Sequence, residues 1–214
     1  FFINILHDAI SEKIPMEVTG TPQTDLDKMA VQALTCWKNF FEGDYSILVD
    51  IFYGQTQSRL IADDGEISDT YEPFNNLVLP IPQEKMYSLE NPPPADYDPN
   101  ASINIYDCFN LFTTNENMEE EWYSSRDKKK KMIKKRFSLW KTPSHLIIVL
   151  NRFVKGRHAH KRDDFVDFPL KSLDISKYCI GYDRKNSKYD LYAVANHTGG
   201  MGGGHYYEYC KNLN

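Results

Sequence analysis

A histidine set directly behind a run of glycines is the arrangement in this chain with the most chemical potential. Gly199, Gly200, Gly202, Gly203 and Gly204 surround Met201, and His205 follows at once. Imidazole ordinarily titrates near neutrality, so it can take up and return a proton at physiological pH. Glycine loses more backbone freedom on ordering than any other residue, so such a run points to positive φ or to something lying close against the main chain. From local spacing alone, a loose hairpin turn beside a structural histidine fits as well as a reactive site. The cysteines Cys36, Cys108, Cys179 and Cys210 are widely separated, with no C-x-x-C pair. That spacing suits neither a zinc ribbon nor a disulfide framework, and it predicts a reduced, intracellular setting, cytoplasmic or nuclear. His158 and His160 flank Ala159, but no further metal ligand lies within reach in the sequence, so they read as solvated loop histidines. The glycine run contains no Walker-type or G-x-G-x-x-G pattern, which argues against a phosphate cradle.

The elements that must position His205 are strands. Tyr189, Leu191, Ala193 and Ala195 alternate with Asp190, Tyr192, Val194 and Asn196 at a period of two, as in a half-buried strand. After the glycines, His205, Tyr207 and Tyr209 fall on one side of a second strand, with Tyr206, Glu208 and Cys210 on the other. The segment therefore reads as a hairpin with a flexible loop over 199–204 and a histidine at its exit. Upstream, Phe2, Ile5, Leu6, Ala9 and Ile10 make the apolar face of a helix. Thr24 caps a second helix with Asp27 three residues on; Leu26, Ala30, Ala33, Leu34, Trp37 and Phe41 form its inner face, and Gly43 ends it. Cys36 and, in a short helix near 102–112, Cys108 fall within apolar patterns and read as core. Ile47–Phe52 is a short apolar turn, Asp63-Asp64-Gly65-Glu66 a hairpin turn, and Tyr71–Ile81 a strand. Pro92-Pro93-Pro94 and Pro99 mark an extended loop. Leu146–Leu150 reads as a buried central strand.

The bulk composition excludes several classes. The 214 residues are 41% hydrophobic and 26% charged, with a net charge of -5, which suits a folded domain with no general attraction to nucleic acid. Glu119–Glu121 lies beside the basic Lys128–Lys131 and Lys134–Arg136, so this charge run reads as a solvated, lysine-guarded strand edge. No apolar run approaches the roughly 18 residues of a membrane span. The opening Phe1-Phe2, without Met, suggests a piece of a longer protein.

Taken in order, several segments resemble the ubiquitin-specific protease family of cysteine deubiquitinases. Leu146-Ile-Ile-Val-Leu-Asn-Arg-Phe153 is similar to the family's apolar strand ending in Lys-Arg-Phe, with Asn151 in place of Lys. Asp164-Phe-Val-Asp-Phe-Pro169 resembles the segment after the first loop over the ubiquitin tail. Tyr189–Tyr209 resembles the histidine box, with His197-x-Gly199 and then Gly204-His205-Tyr206. Phe52-Tyr-Gly54, Tyr71-Glu-Pro-Phe74 and Leu77-x-Leu79 are similar to the finger strands. The resemblance implies an α+β, papain-like fold, here incomplete. Residues 1–51 would be the remainder of the thumb helices, 52–82 and 115–140 the β finger, and 141–214 the antiparallel palm with the histidine box. It implies that His205 is the general base for a cysteine thiol that attacks after ubiquitin's terminal Gly-Gly. Phe165, His197, Gly199, Gly203, Gly204 and Tyr206 would line the ubiquitin tail. The implied partners are ubiquitin and ubiquitinated proteins, with no nucleic acid and no cofactor.

The chain also departs from the family. The cysteine box, the oxyanion-hole residue and the Asp or Asn that orients the histidine are not among its residues, and no cysteine stands at the nucleophile's position. Where the family often has two C-x-x-C pairs in the finger, Ala62 and Gly65, then Ser124 and Asp127, stand here. No structural zinc is expected, and strand pairing alone should hold the finger. Tyr207-Glu208 replaces the usual small Thr-Ala, which should place bulk and negative charge beside His205. The alternative to a deubiquitinase is a catalytically inactive ubiquitin-binding or scaffold module.

Overall fold

In the computed structural model, residues 2–82, 102–154 and 160–212 are described; the proline-rich loop with Pro92–Pro94 and Pro99, and His158, lie outside them. The chain divides into two units. One comprises Phe1–Leu77, Phe112–Val149 and Asp174–Lys188, the other Val78–Leu111, Leu150–Leu173 and Tyr189–Asn214.

The first unit begins with helices α1 (Phe2–Ile10), α2 (Asp25–Phe41) and α3 (Ile47–Phe52). The predicted cap of α2 is present as a reciprocal capping box. Thr24 Oγ1 accepts the Asp27 N–H at 3.1 Å, and the Asp27 carboxylate accepts the Thr24 N–H at 2.8 Å, which satisfies donors that a helix start leaves open. The inner face of α2 buries Ala33 and Phe41, and Phe41 packs with Val49 and Tyr53. α1 differs from expectation, because its apolar residues Phe2, Ile5, Leu6 and Ile10 are exposed and its buried residue is His7. The polar ring can go inward because Ser46 Oγ lies 2.8 Å from its Nδ1 and the rings of Phe41 and Tyr53 enclose it. Ser46 Oγ also accepts the Leu48 N–H at 3.2 Å. That cap makes Ile47–Phe52 a helix rather than a turn.

Four antiparallel strands follow. β1 (Gly54–Ala62) and β2 (Ile67–Phe74) form a hairpin; β3 (Glu116–Asn117) precedes a small pair, β4 (Trp122–Tyr123) with β5 (Lys130–Lys131); β6 (Ile133–Lys141) returns beside β1. The order in the sheet is β2-β1-β6-β3. The β1–β2 turn is the one predicted, with Gly65 at φ 84° and its N–H on the Ala62 carbonyl at 3.0 Å. A core cluster of Ala33, Tyr71 and Trp140 packs α2 on the sheet. Two buried glutamines are satisfied there, Gln55 by the Ala33 carbonyl and Gln57 by the Tyr71 hydroxyl, as buried polar groups must be.

In the second unit, α4 (Ile105–Phe112) buries Ile105, Cys108 and Phe109. Ile103–Asn104 pairs in parallel with Val166–Asp167, and Phe153–Val154 pairs with His160–Lys161. The long hairpin at the C-terminal end joins β7 (Ala193–Gly200) and β8 (Gly203–Cys210). The expected buried central strand is not one. The strand found there, Ile148–Asn151, alternates half-buried with exposed residues, with Val149 and Asn151 in solvent, so only one face is covered.

Candidate active site

Four of the five glycines, Gly199, Gly200, Gly203 and Gly204, are strand rather than loop. Register runs from Ala193↔Cys210 to Gly200↔Gly203 without a slip, leaving Met201–Gly202 as a two-residue turn, the shortest common hairpin connection. The expectation of a flexible loop over 199–204 is therefore corrected. Gly199 sits at φ 123°, and a Cβ there would lie 2.6 Å from the Gly203 carbonyl oxygen. A Cβ on Gly204 would run into the Thr198 carbonyl oxygen and the His197 ring. Main chain meets main chain where side chains would hold the strands apart. The first strand also starts later than its alternation suggests, at Ala193, because the Leu191 N–H bonds instead to the Leu170 carbonyl at 3.0 Å.

Directly paired residues share a face of an antiparallel ladder, so the register sorts the predicted site residues. His205 lies opposite Thr198, and on its face follow Tyr207 opposite Asn196 and Tyr209 opposite Val194. Thr198 Oγ1 donates to the His205 carbonyl at 3.3 Å, which ties the histidine's backbone to β7. His197 and Tyr206 are paired on the other face, ring centroids 4.5 Å apart. Gly199 and Gly204 share their side, and Gly203 shares that of His205. Phe165 is 72% exposed, just before Val166–Asp167. The hairpin thus brings six of the seven predicted residues into one ladder, on two faces. A groove of about 580 Å³ runs along its base, lined by Leu170, Leu191, Tyr192, Val194, Asn196 and Tyr209 among others.

Tyr207 and Glu208 part company here. Tyr207 stands beside His205, whereas Glu208, paired with Ala195, lies on the opposite face. The bulk expected next to the histidine is present, and the negative charge is turned away from it.

One contributor was missed. Lys161 is mostly buried, and its Nζ donates to the carbonyls of His197 at 2.8 Å and Gly199 at 3.0 Å. These carbonyls project from the edge of β7 away from β8, so the ammonium occupies a strand edge that would otherwise stay open. Nothing in the local sequence signals this contact across 36 positions.

The cysteines do not supply a reactive thiolate. Burial raises the pKa of Cys36, Cys108 and Cys179 above the ordinary thiol value, which leaves inert thiols. Cys36 donates to the Tyr71 carbonyl and Cys179 to Ser187. Cys210 is exposed, but it lies five residues beyond His205 on the opposite face of β8. Among the described residues, two groups have the ligand types for a metal: His7 with Asp8 and Asp44, and Asp64 with Glu66 and Asp127. Both belong to the first unit, and neither includes His205.

Comparison with known proteins bears on the family and the fold. Ubiquitin carboxyl-terminal hydrolase 2 of Gallus gallus is 35% identical over 179 residues, covering 82% of this chain and 46% of that protein. Ubiquitin carboxyl-terminal hydrolase 15 of Homo sapiens is 39% identical over 132 residues, 60% of this chain and 13% of that one. The chain therefore spans less than half the length of these relatives. Among solved structures, the SAGA Ubp8/Sgf11/Sus1/Sgf73 DUB module bound to ubiquitin aldehyde superposes with a TM-score of 0.59 at 24% identity, over 79% of this chain and 36% of that one. The same module bound to monoubiquitin gives 0.60 at 22%, over 89% and 41%. At these identities the likeness establishes the fold, which is the α+β, papain-like fold of ubiquitin-specific proteases. The profile of the ubiquitin carboxyl-terminal hydrolase family matches residues 1–214, and the chain belongs to that family.

Proposed function

We propose that this chain supplies the histidine half of a thiol-dependent deubiquitinase, together with surfaces that hold ubiquitin. The observation that carries the reading is the tight glycine ladder of β7 and β8, which presents His205 at its exit. In this reading His205 takes the proton of a cysteine thiol supplied from outside these residues. The thiolate attacks the carbonyl carbon of ubiquitin's terminal glycine, the amine leaves carrying a proton returned by His205, and water hydrolyses the thioester. Gly199, Gly203 and Gly204 give a wall on which the glycine-ended tail can lie backbone to backbone. His197, Tyr206 and Phe165 offer apolar and aromatic surface around it. A net charge of -5 favours a cationic tail. α1 to α3 act as thumb, β1 to β6 as fingers and the β7–β8 hairpin as palm.

A second reading is a ubiquitin-binding or scaffold module without turnover. Tyr207 favours it, since its ring stands on the His205 face where a small residue would leave room. Reaction of the full-length protein with a ubiquitin C-terminal electrophile separates the two. A covalent adduct, lost in His205→Ala while ubiquitin binding persists, is expected. Tight ubiquitin binding with no adduct, or an adduct indifferent to His205→Ala, overturns the catalytic reading.

A further inference from the structure

The stretch Asp174–Lys188 of the first unit is basic within an acidic chain. It carries Lys177, Arg184, Lys185 and Lys188 against Asp174 and Asp183, whereas the whole chain has a net charge of -5. Its backbone is pinned in place. The Ile175 N–H donates to the Ser187 carbonyl at 2.9 Å, and the Ile180 N–H to the Leu139 carbonyl at 2.9 Å. Ile175, Tyr178 and Cys179 are buried. Gly181 runs so close to Trp140 that a Cβ would strike that residue's carbonyl oxygen. On this fixed frame lies a cleft of about 540 Å³, lined by Asp174, Ser176, Lys177, Arg184, Lys185 and Lys188.

The lining has four cations and one acid, and the acid is already answered. Lys188 Nζ lies 3.1 Å from the Asp174 carboxylate, which also accepts the Ser176 N–H at 3.0 Å. Hydrogen bonding from Ser176 first, and from Lys188 after it, draws the Asp174 carboxyl down from 3.8 to about 2. Asp174 and Lys188 therefore cancel at neutral pH. Lys177 Nζ lies 4.7 Å over the Tyr178 ring, a contact that favours the cation without neutralising it. Arg184 and Lys185 are exposed, and among the described residues no acid pairs with either.

The remaining cations come to one cleft from two 3₁₀ turns, Ser176–Tyr178 and Tyr182–Asn186. Like charges gathered in this way repel one another, and a compact anion relieves them. A phosphate monoester carries about 1.5 to 2 negative charges at neutral pH and three strong acceptor oxygens. A guanidinium fork with ammonium groups beside it matches that set. A free small ligand is held largely by enclosure of its surface, which exposed lysine and arginine side chains do not give. A phosphate presented on a chain that lies across the cleft needs no enclosure.

We propose that Lys177, Arg184 and Lys185 form a docking site for a phosphorylated serine or threonine on a segment of a partner protein. The inference does not rest on the proposed catalytic role of His205.

Selection of a peptide library with a central phosphoserine and degenerate flanks on the full-length protein, followed by fluorescence anisotropy of the recovered peptides, tests it. The phosphorylated peptides should bind at least about tenfold more tightly than their unphosphorylated forms, and less tightly as salt rises. Arg184→Ala together with Lys185→Ala, both at exposed positions, should abolish that preference. Lys129→Ala together with Lys130→Ala removes two charges from another exposed stretch and should leave it intact. Equal binding of the two peptide forms, or a preference that survives the Arg184 and Lys185 changes, overturns the proposal. A preference lost equally with the Lys129 and Lys130 changes would reflect bulk charge alone and also overturns it. Inorganic phosphate should compete at least about tenfold more weakly than the selected peptides; equal competition would assign the cleft to the free ion and overturn the docking role.

Discussion

Gly204 and Gly202 look alike in sequence and differ completely in what surrounds them. A Cβ on Gly204 meets the Thr198 carbonyl oxygen and the His197 ring, whereas one on Gly202 has nothing within 4 Å and no positive φ to strain it. The Thr198 carbonyl cannot retreat without opening the ladder that pairs Thr198 with His205. Gly204→Ala should therefore lower adduct formation by the full-length protein with a ubiquitin electrophile at least about tenfold, as misplacement of a base by a fraction of an ångström does. It should also speed amide exchange across 193–210. Gly202→Ala should change neither. Equal effects of the two substitutions would mean that the glycines serve turn flexibility rather than close approach. At the same scale, Glu208 illustrates how a residue adjacent in sequence can be remote from the reacting group, because strand alternation turns it to the other face.

The elements of the first unit are anchored by polar contacts at their ends. Asp27 closes the capping box of α2 and also accepts from the hydroxyl of Tyr182, in the segment Tyr182–Asn186. The Tyr182 hydrogen bond is the main cause, with the Thr24 and Gln23 N–H groups behind it, that lowers the Asp27 carboxyl from 3.8 to about 2. A group whose pKa is lower in the folded state contributes stability above its unfolded value and loses it as pH falls through the folded one. The contribution of Asp27 should thus be intact above about pH 4 and vanish towards pH 2. Denaturant unfolding of native protein and Asp27→Asn at a series of pH values checks this. The native protein should be the more stable at pH 7, and the gap should close in that window. A gap that is constant with pH would remove Asp27 from the account. The capping box was legible because Thr-x-x-Asp before an apolar periodic run has one local meaning. The Tyr182 contact was not, because it joins residues 155 positions apart.

At the scale of the molecule, each of the two units contains fully buried apolar residues. Leu139 on β6 is fully buried in the first unit, Phe109 on α4 in the second. Leu139→Ala should cost about 2–5 kcal/mol, the transfer loss plus the cavity, read as a fall in the urea midpoint at unchanged slope. A loss within about 0.5 kcal/mol, the surface range, would mean that the site is not core. The surface carries its own information. Phe2 and Leu6 of α1, and Tyr206 and Tyr209 of β8, are large apolar groups left in solvent. Among the described residues no helix is long and apolar enough to cross a membrane.

What the sequence by itself determined follows from short-range rules. Period-two alternation told which of His205–Cys210 face together, a capping pair marked the start of α2, and Asp-Gly marked the β1–β2 turn. The order of several weak motifs was enough to indicate the family. Tertiary structure alone decided the rest. Four of the five glycines zip into strand because a facing glycine segment is close enough to bond. His7 turns inward because Ser46 comes within hydrogen-bond reach of it. Leu146–Leu150 looks like a buried strand by composition but covers only one face. Lys131, one lysine in a solvated run, becomes a buried cation because acids 65 and 67 positions earlier in the chain converge on it. In each case the energy comes from a partner distant in sequence, and no local pattern of residue types encodes where that partner will be.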